Sequence, residues 1–340
     1  MQDALGAMGA VAVVIPTRNR RDLVLGAARS ALAQTYTDLR CIVVDDGSTD
    51  GTAEALGAIR DRRLAVVANP GPAGPSGARN AGVAASGDAQ WVAFLDSDDL
   101  WAPTKLERQL EALAEHRGAG WATTGCVRVG PDLSLRAAGR MGGPAGPGPE
   151  RRGGPGAVGP GAVLFGCAEL ARLLQEENHI PAGSSTVLVA RRVLDEAGSF
   201  CAELRTNEDW DFWARLANHA PLVYVDSPLV ACRQWDGQAS LDGHAFVASA
   251  ALVRARNFPD LGALPRGYAA RWEREIGRRH VSQHRRWPAA RSYLRAALLA
   301  RQPGQLAYAV AAAMAPSVAE SRLRQVEGSR DAPRTWQAEA

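Results

Sequence analysis

"CIVVDDGSTDGT", Cys41 to Thr52, is an apolar run of strand length that ends in two adjacent carboxylates, Asp45 and Asp46, and then a turn of small residues. Neighbouring acids repel each other and are costly to desolvate, so they do not stabilise a buried strand end. They belong to an exposed loop or to a site that uses them. The flanking segments give the context. "VAVVIP" (Val11–Pro16), "LAVVAN" (Leu64–Asn69) and "WVAFLD" (Trp91–Asp96) are further apolar, β-branched runs. Between them lie helical patterns: "RDLVLGAARSALAQ", with Leu23, Ala27 and Ala31 at helical spacing, then "TAEALGAIR" and "GARNAGVAAS". Continuous apolar strands separated by amphipathic helices predict an α/β fold, a mostly parallel sheet flanked by helices on both faces.

Further along, "PTKLERQLEALAEHR" predicts a helix with Pro103 in its first turn. The segment 137–161 is rich in Gly and Pro with almost no apolar side chains, so it is expected to be a mobile loop. Order resumes with the helix "CAELARLLQEE", the strand "STVLVAR", the helix "EDWDFWARLANHA" and the strand "LVYVDSPLV". After about Ala245 the pattern is helical and rich in Ala and Arg. The expected organisation is therefore one α/β domain over 1–240 and a helical C-terminal region over 241–340.

The bulk composition, 46% hydrophobic and 22% charged, is that of a globular chain, and a net charge of +3 is too small to imply nucleic acid. Five scattered cysteines without a C-x-x-C pair argue against a disulfide framework or a zinc ribbon and fit a reducing compartment. The N-terminus lacks a basic signal-peptide start, and no apolar run has the length of a membrane span. A cytoplasmic location is therefore expected. The Arg-rich stretch around "RRHVSQHRRW" allows peripheral contact with the inner face of a membrane.

In open parallel sheets, ligands bind at the carboxyl ends of the strands. Here those ends read "PTRN", "DDGSTDG", "NPGPAGPSGARN" and "DSDD", four polar loops converging on one rim. In "FLDSDDLW" an apolar strand delivers Asp96, Ser97, Asp98 and Asp99 to its exposed end. Carboxylates at that density call for a hard cation such as Mn2+ or Mg2+, with phosphate oxygens completing its shell. The bland reading is an acidic cap for the following helix, a role open to Asp99 or Thr104. There is no G-x-x-x-x-G-K-[ST] loop and no G-x-G-x-x-G turn. A phosphate ligand would have to be held by the cation, by Arg79 and by backbone N–H groups at a helix start.

"VVIPTRNR", "ALAQTYTDLRCIVVDDGSTDGT", "GARNAGVAASGDAQWVAFLDSDDLW" and "NEDWDFWARL" together resemble the motifs of family 2 glycosyltransferases, in their order, from about Val11 to Ser240. The resemblance implies a GT-A fold, with residues 1–101 as the nucleotide-sugar half and 102–240 as the acceptor half. It implies a nucleotide-diphosphate sugar donor, most simply a UDP-sugar, a divalent cation, and an acceptor hydroxyl on a carbohydrate or lipid-linked molecule, with no nucleic acid. By the resemblance, Pro16, Thr17, Arg18 and Asn19 line the nucleoside pocket. Asp45 and Asp46 hold base and ribose, one of them securing the loop. Arg79 faces the base or the diphosphate, and Asp96, Ser97 and Asp98 form the D-x-D motif. Asp98, with Asp96 and Asp99, binds the metal.

Asp209 matches the family's catalytic base. Its local chemistry agrees: it lies in the first turn of a helix whose dipole favours the carboxylate, beside Glu208, which opposes it. Thr206 or Asn207 is the expected cap, and Trp210, Trp213 and Leu216/Ala217 form the expected buried stripe. Thr49 or Asp50 caps the helix after the second strand. Asp211 reads as a surface residue or a partner of the site, and His179 as structural. Two positions depart from the family pattern. Arg18 stands where many relatives have Tyr or Phe. Trp235, after Arg233, stands where many have His, so Arg233 would supply charge to the diphosphate instead. These departures motivate the alternative of a non-catalytic nucleotide-sugar-binding scaffold. A nucleotidyltransferase fits less well, because "PTRNRRDL" lacks a glycine-rich loop.

Overall fold

A computed structural model of the protein describes residues 8–139, 141, 157–158, 161–234, 243–261, 266–282, 285–300 and 310. The chain divides into two compact units, Met1–Trp235 and Asp236–Ala332. The division falls a few residues ahead of position 240.

The first unit is built on β1 (Val11–Thr17), β2 (Leu39–Asp45), β3 (Leu64–Ala68) and β4 (Trp91–Phe94). These pair in parallel, in the order β3-β2-β1-β4. Every residue of β1 except Pro16 is buried, which is why its sequence is an unbroken apolar run rather than an alternating one. Helices α1 (Arg21–Leu32), α2 (Thr52–Gly57) and α3 (Pro75–Ala84) make the crossovers. The buried stripe of α1 runs through Val24, Ala27, Ala28 and Ala31; Leu23, expected on it, is only half-buried. Helix α3 lies so close to the sheet that a Cβ on Gly82 would fall 2.2 Å from Val14 Cγ1. Only a glycine lets the two backbones approach that far.

Beyond β4 the sheet becomes mixed. Next come β10 (Leu188–Ala190), antiparallel to β4, then β6 (Trp121–Val129), β11 (Leu222–Arg233), β9 (Ala162–Phe165) and β8 (Ala157–Val158). The short β5 (Leu100–Trp101) pairs with β11, and β7 (Leu135–Gly139) with β6. β6 runs parallel to β11, with irregular register around Pro228. Helices α4 (Lys105–Glu115), α5 (Cys167–Glu176), α6 (Arg191–Ala197) and α7 (Glu208–Leu216) complete this unit. Pro103 precedes α4 rather than opening it, and Thr104 is the cap residue, without a side-chain capping bond. The Gly/Pro-rich stretch 137–161 is bounded by strand: β7 covers its first residues and β8 lies near its end. Its middle, 142–156, lies outside the described residues, as does Trp235.

An aromatic cluster packs α7 onto the sheet. The Trp121 and Trp213 rings stack at 5.9 Å, and Phe200 meets Phe94 edge-on at 5.2 Å. Trp210, Trp213, Leu216 and Ala217 are fully buried, as their helical spacing predicts. Full burial of each large side chain contributes about 1.5–3 kcal/mol, enough to fix which edge of α7 faces the rim.

The second unit contains α8 (Gly243–Asn257), α9 (Arg266–Ser282) and α10 (Arg286–Ala300). Residues 301–309 and 311–340 of the expected helical region lie outside the described residues. No helix among the described residues is long and apolar enough to cross a membrane.

Candidate active site

The parallel register sets Thr17 opposite Asp45, and Asp45 opposite Ala68. Leu95 N–H still bonds to the Val14 carbonyl, so the chain leaving β4 emerges on the same rim. The loop after β1 knits this rim together. Asn19, at φ 51°, accepts the Thr49 N–H at 2.8 Å and donates its own N–H to Ser48 Oγ at 2.9 Å. Arg18 reaches Asp46 at 3.9 Å and Arg20 reaches Asp98 at 2.9 Å. The two acidic tips thus flank one loop and are neighbours in space.

The two acids of the opening stretch have different work. Asp46 accepts from Asn69 Nδ2 at 2.6 Å and from the Gly74 N–H at 2.8 Å, tying the loop after β2 to the loop before α3. Asp45 accepts the Ser48 N–H at 2.9 Å on Oδ1, while Oδ2 carries no hydrogen bond among the described residues. Asp46 is the loop-securing acid, and Asp45 is the one with an oxygen to offer. Asp50, rather than Thr49, serves the helix starts: it accepts the Thr52 N–H at 3.1 Å and the Arg21 N–H at 3.1 Å. The formal cap of α2 is Gly51, with left-handed backbone. Pro16 and Thr17 end β1; the Thr17 hydroxyl is buried, with no hydrogen-bond partner among the described residues.

Arg79 lies elsewhere than on the open rim. Buried on α3, it donates from Nη1 to Glu208 at 2.8 Å and from Nη2 to Asp96 at 2.7 Å, with its guanidinium 5.4 Å from the Phe200 ring centre. Two carboxylates hold its charge despite burial and push its pKa above the ordinary arginine range. Arg79 therefore bolts the acidic loop after β4 to the first turn of α7, two segments more than a hundred residues apart.

The acids of "DSDD" separate by role as well. Asp96 keeps Oδ2 without a hydrogen bond among the described residues, and its side chain is about a third exposed. Ser97 is buried. Asp98 holds Arg20. Asp99 is buried, accepting the Ser185 hydroxyl at 2.6 Å and the Arg233 N–H at 3.0 Å. Burial, and then the neighbouring Asp98 and Asp96, push its pKa well up. The Arg233 side chain donates to the Asp98 carbonyl at 3.0 Å and to the Pro131 carbonyl at 2.9 Å, so it clamps the loop from behind. No group of three or more His, Cys, Asp or Glu among the described residues is arranged to hold a metal.

Asp209 stands at the start of α7. Of the two expected caps, Asn207 is the cap residue, left-handed at φ 59° and without a side-chain capping bond. Asp209 Oδ1 accepts the N–H of Trp210 at 2.7 Å, and Oδ2 accepts Asn178 Nδ2 at 3.0 Å. Gly183, at φ +52°, sits against the same oxygen: a Cβ there would lie 2.7 Å from Oδ2. Burial, then the charge of Glu208, raises the Asp209 pKa to about 7, with Arg79 and the Trp210 N–H pulling the other way. Asp211 is fully buried, not on the surface, and bonds Arg215 at 2.9 Å.

The sequence reading passed over Arg20, Asn178, Gly183 and Ser185. The last three come from one stretch, "NHIPAGSS", whose only local signal is polar residues before a short apolar strand. Ser185 donates to Asp99 and accepts the Asp96 N–H at 3.0 Å, while Asn178 and Gly183 confine Asp209. One short segment therefore touches both the acidic loop and the candidate base.

Residues 12–137 match the family model described as Glycosyl transferase family 2. The chain is 37% identical over 103 residues to the UDP-Glc:alpha-D-GlcNAc-diphosphoundecaprenol beta-1,3-glucosyltransferase WfaP of Escherichia coli, which covers 30% of this chain and 41% of that protein. It spans less than half the length of the curated relatives it matches. Over nearly the whole chain the fold is that of S. aureus TarS 1-349, solved in complex with UDP-GlcNAc, with TM-score 0.55 and 19% identity over 93% of this chain and 92% of that one. A mannosyltransferase from Pyrobaculum calidifontis, solved in complex with GDP-Man and Mn2+, superposes with TM-score 0.50 and 17% identity over 94% of this chain and 80% of that one.

Proposed function

We propose that the chain is a family 2 glycosyltransferase, a reading supported by the match of residues 12–137 to that family's model, and that it transfers a sugar from a nucleotide-diphosphate donor to an acceptor hydroxyl, with Asp209 as the base. The observation that carries this reading is the bridge Asp96–Arg79–Glu208, which brings the acidic donor-side loop and the first turn of α7 into one site. A binding scaffold has no need of a buried arginine that positions a carboxylate beside its ligand loop, or of a base with pKa about 7.

The donor's nucleoside lies against Pro16, Thr17 and Asn19, with the free oxygen of Asp45 accepting from base or ribose. Arg18, exposed at the same loop, contacts the nucleotide by charge rather than by stacking. Asp96 and Asp98 offer hard oxygen and Asp96 keeps Oδ2 open, so these residues fit Mn2+ or Mg2+ provided Asp98 exchanges Arg20 for the ion. Such an ion supplies the positive charge that stabilises a departing diphosphate. Asp99, with both oxygens engaged from within the fold, sets the loop's shape rather than acting as a ligand. Arg79, Arg233 and Glu208 are positioning groups on this reading.

The acceptor oxygen approaches beside Asp209 and gives up its proton to Oδ1 or Oδ2 as it attacks the anomeric carbon. Direct displacement by that oxygen, from the side opposite the diphosphate, inverts the anomeric centre. The acceptor is a carbohydrate or lipid-linked hydroxyl, in line with the lipid-linked acceptor named for the Escherichia coli relative. Bacterial polysaccharide or glycolipid synthesis is the setting this implies.

The test uses purified full-length protein with Mn2+ and a panel of UDP-, GDP- and dTDP-sugars. A true donor raises the melting temperature only when metal is present. Asp209→Asn is expected to lower transfer by about 10²–10⁴-fold, the usual contribution of a general base, while metal-dependent donor binding stays close to wild type. Donor binding without turnover on any acceptor would favour the scaffold, and unchanged turnover in Asp209→Asn would remove that residue from the mechanism.

A further inference from the structure

Helix α10 has its side chains the wrong way round for a helix that meets only water on its outer face. Its buried face is small: Ala289, Ser292, Ala296 and Ala297, with Tyr293 the one large member. Its outer face carries Trp287, Leu294 and Leu298, which are 60%, 44% and 70% exposed. Their spacing of seven and four residues lines them up in a single stripe. Single exposed apolar residues are ordinary, but three large ones on one stripe mark a surface that something covers.

The neighbours of the stripe say what covers it. Arg291 and Arg295 are exposed on the same side of the helix, and the Arg286 guanidinium lies 5.6 Å from the Trp287 ring centre. Arg295 reaches Glu273 on α9 at 3.7 Å while remaining largely exposed. The described stretches 243–261, 266–282 and 285–300 hold eleven arginines against three acids, although the whole chain carries only +3. An apolar stripe edged by arginine, with a tryptophan at one end, is the layout of a helix lying in a bilayer interface. An apolar protein partner would not need the arginines, and a nucleic acid would not need the leucines.

We propose that α10 docks on an anionic lipid surface, placing Trp287, Leu294 and Leu298 among the acyl chains and Arg286, Arg291 and Arg295 at the headgroup phosphates. The described helix, Arg286–Ala300, is shorter than the roughly 20 residues of a span, and the proposal lays it in the plane of the interface. The proposal does not depend on the enzymatic reading, and its test needs neither donor nor metal.

Full-length protein is floated with vesicles of phosphatidylcholine alone or with added phosphatidylglycerol, at low and high salt. Binding to the anionic vesicles, weakened by salt, is expected. The variant Trp287→Ser/Leu294→Ser/Leu298→Ser should lose about tenfold or more in partitioning, with an unchanged far-UV circular dichroism spectrum. Arg286→Gln/Arg291→Gln/Arg295→Gln should lose the salt-sensitive part. The Trp287 contribution, taken as wild type minus Trp287→Phe, should shift to the blue on vesicles. Wild-type protein that fails to float, or a triple-serine variant that floats equally well, overturns the proposal. So does a wild-type dimer that the triple-serine variant abolishes without any vesicle binding, since the face would then belong to a second copy.

Discussion

At the scale of the residue, Asp209 is an acid whose surroundings oppose its charge. Burial and Glu208 raise its pKa to about 7 from the ordinary carboxylate range, while Arg79 and a helix N–H restrain the rise. As the proposed base it must be ionised, so kcat/KM is expected to fall as pH drops below about 7, and a pH-rate profile checks this. Stability carries the opposite slope. The unfolded chain releases this proton near pH 4, roughly, but the folded chain keeps it to about pH 7. The native state therefore binds more protons between those values and loses stability as pH rises through them. Denaturant titrations of Asp209→Asn should show a shallower decline across that window. Asn178 donates to Oδ2 and so favours the charged form. Asn178→Ala is expected to move the rate profile to higher pH and to cost about tenfold in kcat, with donor KM little changed. An unaltered profile would leave Asn178 with a packing role only.

At the scale of the element, the segment from Asn178 to Ser185 is a strut with chemistry at both ends. Its hydroxyl end holds the loop after β4, and its amide end holds the base. Ser185→Ala is expected to loosen the Asp99 side of the loop and raise donor KM in metal-dependent kinetics, while the pH midpoint set at the other end stays put. The contrast with Asn178→Ala is the informative measurement. Elsewhere, the contact of α3 with β1 relies on Gly82. Gly82→Ala would force its new methyl against Val14 and should cost about 1–3 kcal/mol in chemical denaturation, the usual penalty for overpacking a core. Since α3 also carries Arg79, donor binding should weaken in the same variant.

At the scale of the molecule, the chain is two compact units, and every residue assigned to donor or base lies in the first. Units of this kind are expected to unfold in separable steps. Calorimetry with Mn2+ and a bound nucleotide-sugar should raise one transition and leave the other in place. Anionic vesicles should act on the other one, if α10 is where lipid binds. A single transition shifted equally by both additions would contradict this division of labour.

The sequence by itself determined the elements and the rim. Apolar runs and helical spacings are local, so β1 to β4, the helices between them and the buried stripe of α7 could be read directly, and the turns that end the strands had to carry the polar chemistry. Local pattern says little about strand direction or neighbours. The run Leu188–Ala190 is equally apolar in either direction, so its antiparallel place between β4 and β6 was not legible, and β6 itself passed unnoticed. The same limit applied to the site. Asp45, Asp96 and Asp98 stood out in their own stretches and Asp209 by the family resemblance, but tertiary contacts divided the labour among them. Arg79 meets Glu208 across 129 residues, Arg233 meets Asp99 across 134, and Asn178 meets Asp209 across 31. A carboxylate's role follows from which donors surround it, and those donors are chosen by the path of the chain through space, which only the assembled sheet fixes.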